Sequence, residues 1–129
     1  TKDYSLILDG KEIQQSAVMI SIANSNQFGF NMRIAPEARI DDGLLDVCIV
    51  KKGSFTNMIN VGYNALAGIK DESGLIDYYK AKEVIVKNSG QIKVNIDGEA
   101  ALFNSDLHFK IMPACLKVAV PLRSIKNLN

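Results

Sequence analysis

The chain has 129 residues, 47% of them apolar and 22% charged, with a net charge of +1. That is enough chain for one domain with its own core, and too apolar a composition for a disordered segment. The near-zero charge leaves no field to gather nucleic acid, no apolar run approaches the roughly 18 residues of a membrane helix, and no basic stretch leading into an apolar one marks a signal peptide.

The first third reads as strands. Ser5-Leu6-Ile7-Leu8, then Asp9-Gly10, then Lys11-Glu12-Ile13 predicts a hairpin closed by a two-residue type I′ turn, which needs positive φ at both central positions. Ala17 to Ala23 is an apolar run expected as a strand buried on both faces. Asn24 to Gln27 is a polar loop. Phe28 to Ile34 is a further extended run stopped by Pro36, and Leu44 to Val50 is a buried strand broken only by Asp46.

One helix is predicted, with Ser54 as N-cap and Gly68 as its end. Phe55, Met58, Ile59, Tyr63 and Leu66 fall near helical spacing and are expected to pack into the core. Gly62 weakens this helix by about 1 kcal/mol relative to alanine. Asp71 to Gly74 reads as a surface loop.

Strands then return. Lys82 to Val86 is one run. Gln91 to Ile96 alternates strictly, with Ile92, Val94 and Ile96 on one face; Asp97-Gly98 turns the chain, and Glu99 to Phe103 comes back. His108 to Met112 and Leu116 to Val120 follow, separated by Pro113 and closed by Pro121. About eight strands and one helix predict a mainly β fold over residues 1–129, an antiparallel β-sandwich or open barrel.

Chemistry is sparse. Cys48 and Cys115 lie in apolar runs; a disulfide between them is one reading, and buried free thiols in a reducing compartment are the preferred one; two cysteines and one histidine make no zinc pattern. His108, between Leu107 and Phe109, reads as a packed or rim histidine. Lys51-Lys52 and Lys80/Lys82 read as solvated faces. Two places stand out. Asp41-Asp42-Gly43 is a turn with two carboxylates and exposed carbonyls, a setting for a hard cation. Glu99 faces Ile96 across the Asp97-Gly98 turn. It should therefore sit at the rim of an apolar face, where desolvation raises a carboxylate toward the range of a general base.

Ile34-Ala35-Pro36 through Asp42-Gly43-Leu44-Leu45-Asp46-Val47 resembles the "iaP-x-A-x-l-x-DG-l-L-d-v" signature in the C-terminal domain of the diacylglycerol kinase-like lipid kinases, which include bacterial diacylglycerol kinases and the sphingosine kinases. Asn95-Ile96-Asp97-Gly98-Glu99 resembles the family's "DGE" hairpin, and Tyr79 to Val84 its "f-x-a-k-x-v" strand entry. The order and spacing of the three pieces carry the likeness over most of the chain. Phe28-Gly29-Phe30-Asn31 stands where relatives often have a glycine-rich stretch. The "GGDGT" nucleotide signature, which the family carries in a separate N-terminal α/β domain, is absent. The chain begins Thr1-Lys2-Asp3 and is read as a piece of a longer enzyme.

The resemblance implies an ATP-dependent kinase that phosphorylates a lipid hydroxyl, with Glu99 as proton acceptor. It also implies a structural Mg²⁺ held by the Asp42 carboxylate and the carbonyls of Arg39 and Leu44. The implied partners are the lipid substrate and the chain's own nucleotide-binding domain. A cytoplasmic enzyme touching the membrane peripherally, and forming a homodimer, is compatible with this reading. A second reading is a non-catalytic β module that binds an apolar ligand or a protein partner.

Overall fold

The computed structural model describes residues 1–26, 33–88 and 90–117. Among them are nine strands and one helix: β1 Lys2–Leu8, β2 Lys11–Ala17, β3 Met19–Ala23, β4 Leu45–Val50, α1 Phe55–Ala67, β5 Ile76–Ala81, β6 Glu83–Val86, β7 Ile92–Ile96, β8 Glu99–Phe103 and β9 Leu107–Lys110. Every pairing is antiparallel. One sheet has the order β2-β1-β6-β9, a second β3-β4-β5, and β7-β8 forms a ribbon of its own. No sheet closes on itself, so the architecture is the sandwich of the two predicted forms.

β4 explains the layering. All six of its residues are buried. Leu45, Val47 and Ile49 face Leu6, Leu8, Ala17, Val84 and Val86 of the four-stranded sheet. Cys48 and Val50 face the opposite way, onto Val61 and Ala65 of α1 and onto Ile34, Ala35 and Ala38 of the proline segment. A strand covered on both sides loses the need to alternate, hence its unbroken apolar run.

The predicted caps of α1 are in place. Ser54 Oγ accepts from Asn57 N at 3.3 Å, and Gly68 takes the left-handed conformation at φ 69°. Both Asp-Gly turns form as expected, with positive φ at Asp9 and Gly10 and at Asp97 and Gly98.

Several expectations are corrected. Ala17 to Ala23 is not one strand buried on both faces. The chain leaves the four-stranded sheet after Ala17 and joins the other sheet at Met19, leaving Val18 and Met19 partly exposed at the crossing. β5 is a strand that the sequence pattern does not announce. Its Asp77 is paired with Lys51 and accepts from Gln15, and its Lys80 is paired with Asp42 and Asp46. Lys51 and Lys80 are therefore paired rather than simply solvated. Phe55, Ile59, Tyr63 and Leu66 are exposed, and the core face of α1 is Val61 and Ala65 with Met58 beside them. Asp71 is buried rather than on a surface loop, holding the Ser73 hydroxyl. Cys115 is exposed, unlike Cys48. His108 lies at the rim as expected, 3.0 Å from Glu83. Most of the Phe28–Ile34 run, including Phe28 to Asn31, and the end of the Leu116–Val120 run lie outside the described residues.

Candidate functional site

The proline segment is fastened from below. Arg33 N donates to Ala65 O of the helix at 2.7 Å, and Ile34, Ala35 and Ala38 are buried against the core. Cys48 Sγ donates to Ile34 O at 3.6 Å. Burial, with Asp46 nearby, pushes this thiol up to about 12. With its inner edge fixed, the segment presents Asp41, Asp42 and Gly43 on the outside, Gly43 at φ 69°.

Both carboxylates there are ionised at neutral pH. Asp41 is gripped by the Arg39 guanidinium through two bonds of 3.0 and 3.1 Å, which hold its pKa below the usual range. Asp42 Oδ2 accepts from Lys80 Nζ at 2.9 Å and Oδ1 from Leu44 N at 3.0 Å. The Lys80 bond is the chief cause of its lowered pKa, opposed by burial. Lys80 also reaches Asp46 Oδ2 at 3.1 Å, the residue directly opposite it in the β4–β5 register. Burial works against the Lys80 charge, and the two carboxylates more than offset it, so its pKa is raised.

Whether this donor set fits a Mg²⁺ ion turns on its free lone pairs. Asp42 Oδ2 is already satisfied by an ammonium. Oδ1 spends one lone pair on Leu44 N–H and keeps the other. Three carboxylates, Asp41, Asp42 and Asp46, face two cations, Arg39 and Lys80, leaving one net negative charge. A single carboxylate oxygen beside backbone carbonyls, with water completing the shell, suits the few protein ligands that Mg²⁺ takes. The residues fit the ion, with Lys80 sharing the carboxylate. Among the described residues no three carboxylate, histidine or cysteine side chains cluster as a metal site of their own.

Behind the turn lies a cleft of about 240 Å³ lined by Ala35, Pro36, Glu37, Asp46, Lys70, Tyr78, Tyr79 and Lys80. Lys70 pairs with Glu37 at 2.7 Å and lies over the Tyr78 ring. Sequence reasoning missed Lys70 and Tyr78. Nothing local marks them, because they meet the proline segment only through the fold.

Glu99 opens β8 and pairs with Ile96 across the Asp97-Gly98 turn, as the register predicted. The turn is braced by Gly98 N donating to Asn95 Oδ1 at 2.9 Å. The apolar rim predicted around Glu99 does not form among the described residues. Glu99 is exposed, Ile96 is half exposed, and Ile92 and Val94 are only partly covered. The ribbon is anchored at its base instead. Ile92 packs on the sandwich core, and Asn88 Nδ2 donates to Phe103 O and Ser105 O. Glu99 and Asp42 thus sit on separate structures, one on the β7–β8 tip and one on the proline segment.

Comparison with known proteins gives this arrangement a context. Residues 1–120 match the family model described as the YegS C-terminal NAD kinase beta sandwich-like domain. A diacylglycerol kinase of Bacillus subtilis (strain 168) is 33% identical over 91 residues, 70% of this chain and 30% of that protein. A probable lipid kinase YegS-like of Chromohalobacter salexigens is 26% identical over 103 residues, 80% of this chain and 33% of that protein. A crystal structure of a diacylglycerol kinase from Bacillus anthracis str. Sterne superposes with a TM-score of 0.71 at 22% identity, covering 86% of this chain and 38% of that one. The chain therefore spans about a third of the length of the curated relatives it matches. With the family model covering nearly all of it, the chain belongs to the YegS C-terminal, NAD kinase-like β-sandwich family, the C-terminal domain of the diacylglycerol kinase-like lipid kinases.

Proposed function

We propose that the intact protein transfers the γ-phosphoryl group of ATP to the hydroxyl of a lipid of the diacylglycerol kind, and that this domain supplies the proton acceptor. The observation that carries the reading is Glu99 at the tip of a braced ribbon, in a domain whose relatives are named diacylglycerol and lipid kinases. The Glu99 carboxylate would accept the hydroxyl proton as the lipid oxygen bonds to the γ-phosphorus and the bond to the ADP oxygen breaks. The braced turn sets the backbone that carries Glu99, while its exposure leaves the carboxylate open to a substrate and to a second domain.

The nucleotide would be held by that second domain, outside this chain. The Asp42 carboxylate and the Arg39 and Leu44 carbonyls would hold Mg²⁺, which when bound supplies positive charge that rigidifies the turn. Arg39 restrains Asp41, and Lys80 ties Asp42 to Asp46 of the sandwich, so both side chains orient the loop whatever its metal content. The protein would work in the cytoplasm and reach its lipid at the membrane surface; no helix among the described residues is long and apolar enough to cross a bilayer.

The test is Glu99→Gln in the full-length protein, assayed with Mg-ATP and a dispersed diacylglycerol. Glutamine keeps the size and reach but not the basicity, so kcat should fall by about 10²–10⁴. KM for ATP should hold, because ATP is bound elsewhere. Near-normal turnover removes Glu99 from the role of base.

A further inference from the structure

The β7–β8 ribbon leaves the sandwich at one place. The β6–β9 ladder ends where Val86 pairs with Leu107, and the ribbon begins where Ile92 pairs with Phe103. Between them the chain runs out through residues 87–91 and back through only 104–106. Legs of unequal length cannot continue a regular ladder, because each residue of one strand needs a partner opposite it on the other. Among the described residues β7 and β8 pair as strands only with each other. The direction of the ribbon is therefore set at its root and not along its edges.

Side chains replace the missing ladder there. Asn88 is half-buried and uses both ends of its amide. Nδ2 donates to Phe103 O at 3.2 Å and to Ser105 O at 3.3 Å, and Oδ1 accepts from Gly90 N at 3.1 Å. One side chain thus spans both legs. Asn88 N donates to Asp106 Oδ1 at 2.8 Å, and Lys87 Nζ to Asp106 Oδ2 at 2.9 Å. These two bonds, the first above all, hold the Asp106 carboxylate below its usual range. Ile92 seats the apolar side of the root on the core.

We infer that Asn88, with Asp106 behind it, is a positioning residue for Glu99: it locks the angle at which the ribbon stands on the sandwich, and so where the carboxylate meets its substrate. This rests on the proposed role of Glu99 as proton acceptor. The leverage is large. Strand residues rise about 3.3 Å each, so Ile96, opposite Glu99, stands roughly 13 Å beyond Ile92. A swing of about 10° at the root would carry the tip by about 2 Å, and a misplacement of about 1 Å caused far from the chemistry can cost about 10²-fold in rate. The bond from Gly98 N to Asn95 does not bear on this angle, since it lies within the ribbon.

The experiment uses the full-length protein with Asn88→Ala and Asn88→Ser, each made with Glu99 intact and together with Glu99→Gln, and assayed with Mg-ATP and dispersed diacylglycerol. Serine keeps a hydroxyl oxygen near Gly90 N but cannot reach the returning leg, and it carries the same test if the alanine variant does not fold. Each single variant should lower kcat at least about tenfold and leave KM for ATP in place. On the Glu99→Gln background the same change should cost less than about twofold, because the base it positions is already gone. A loss that persists in full on that background, or single variants with normal kcat, overturns the inference. A nitroxide pair at Ala100→Cys and Gln14→Cys, with other reactive cysteines replaced by serine, gives a readout that needs no activity. Double electron–electron resonance should show one narrow distance in the parent and a broadened or shifted one when Asn88 is replaced; an unchanged distribution overturns the inference. If Glu99→Gln itself turns over normally, the reading of Glu99 as base fails, and the distance distribution still decides whether Asn88 sets the ribbon.

Discussion

Lys80 shows how a single residue changes meaning once folded. In the sequence it is one of a pair of surface lysines. In the structure it links Asp42 of the proline segment to Asp46 of the sandwich. Lys80→Met should loosen the turn while removing the positive charge that shares the Asp42 carboxylate. Divalent affinity, read by Mn²⁺ electron paramagnetic resonance, should rise about threefold to tenfold if the like-charge repulsion removed is worth about 1 kcal/mol at this exposed site. Asp42→Asn should lower that affinity. The stability cost of Lys80→Met should also depend on pH. The folded Asp42 pKa is depressed, so the pair contributes well above pH 3.8 and is lost as pH falls through the depressed value. The Lys80 pKa is raised, so the contribution holds below pH 10.5 and is lost as pH rises beyond it. Cys48 offers a separate check. With its thiol pushed up to about 12 and buried, it should resist alkylation at pH 8 until the protein unfolds, while exposed Cys115 reacts at once.

At the scale of elements, the hairpins are legible because their turns are local. Asp-Gly at 9–10 and 97–98 needs only φ > 0 at adjacent residues, whatever the rest of the chain does. What the first turn fastens is not local. Asp9 Oδ1 accepts from Lys82 N and Glu83 N, each at 2.9 Å, and Asp9 N donates to Glu83 O. One side chain thereby holds the bend where the chain passes from β5 in one sheet to β6 in the other. Asp9→Ala should cost about 2 kcal/mol, from the lost hydrogen bonds and from alanine at φ 48°. Asp9→Asn, which keeps an acceptor and tolerates that φ, should cost less than half as much in a urea titration. The apolar stripe of α1 shows where periodicity misleads. Helical spacing identifies a face, but not which of two apolar faces meets the sheet. Val61 and Ala65 win because small side chains let the helix lie close on Cys48, Val50 and Ile76.

At the scale of the molecule, stability rests on the layer between the two sheets. Leu6, Val47, Ile49 and Val84 are wholly buried there. Leu6→Ala should destabilise the domain by about 2–5 kcal/mol, with a single cooperative urea transition at an earlier midpoint. Because this core is continuous within the chain, residues 1–129 should fold in isolation. Since their sequence carries no GGDGT motif, they are expected to show no ATP-dependent lipid phosphorylation, which a radiolabel assay would check.

What the sequence determined by itself is what depends on near neighbours. The Asp-Gly turns, the Ser54 and Gly68 caps, the buried run of β4 and the pairing of Glu99 with Ile96 all follow from spacing and backbone sterics. The motifs Ile34–Val47 and Asn95–Glu99 were likewise readable as strings. The tertiary structure alone decided what depends on distant partners. β5 can carry Asp77 and Lys80 as a strand because Lys51 pairs with Asp77, Gln15 donates to it, and Asp42 and Asp46 pair with Lys80, all from elsewhere in the chain. Lys80 stands at the proposed ion loop because the β4–β5 register sets it opposite Asp46. Glu99 is exposed because its ribbon pairs with neither sheet. A one-dimensional pattern reports which side chains share a face, and burial of that face depends on what the rest of the chain brings to it.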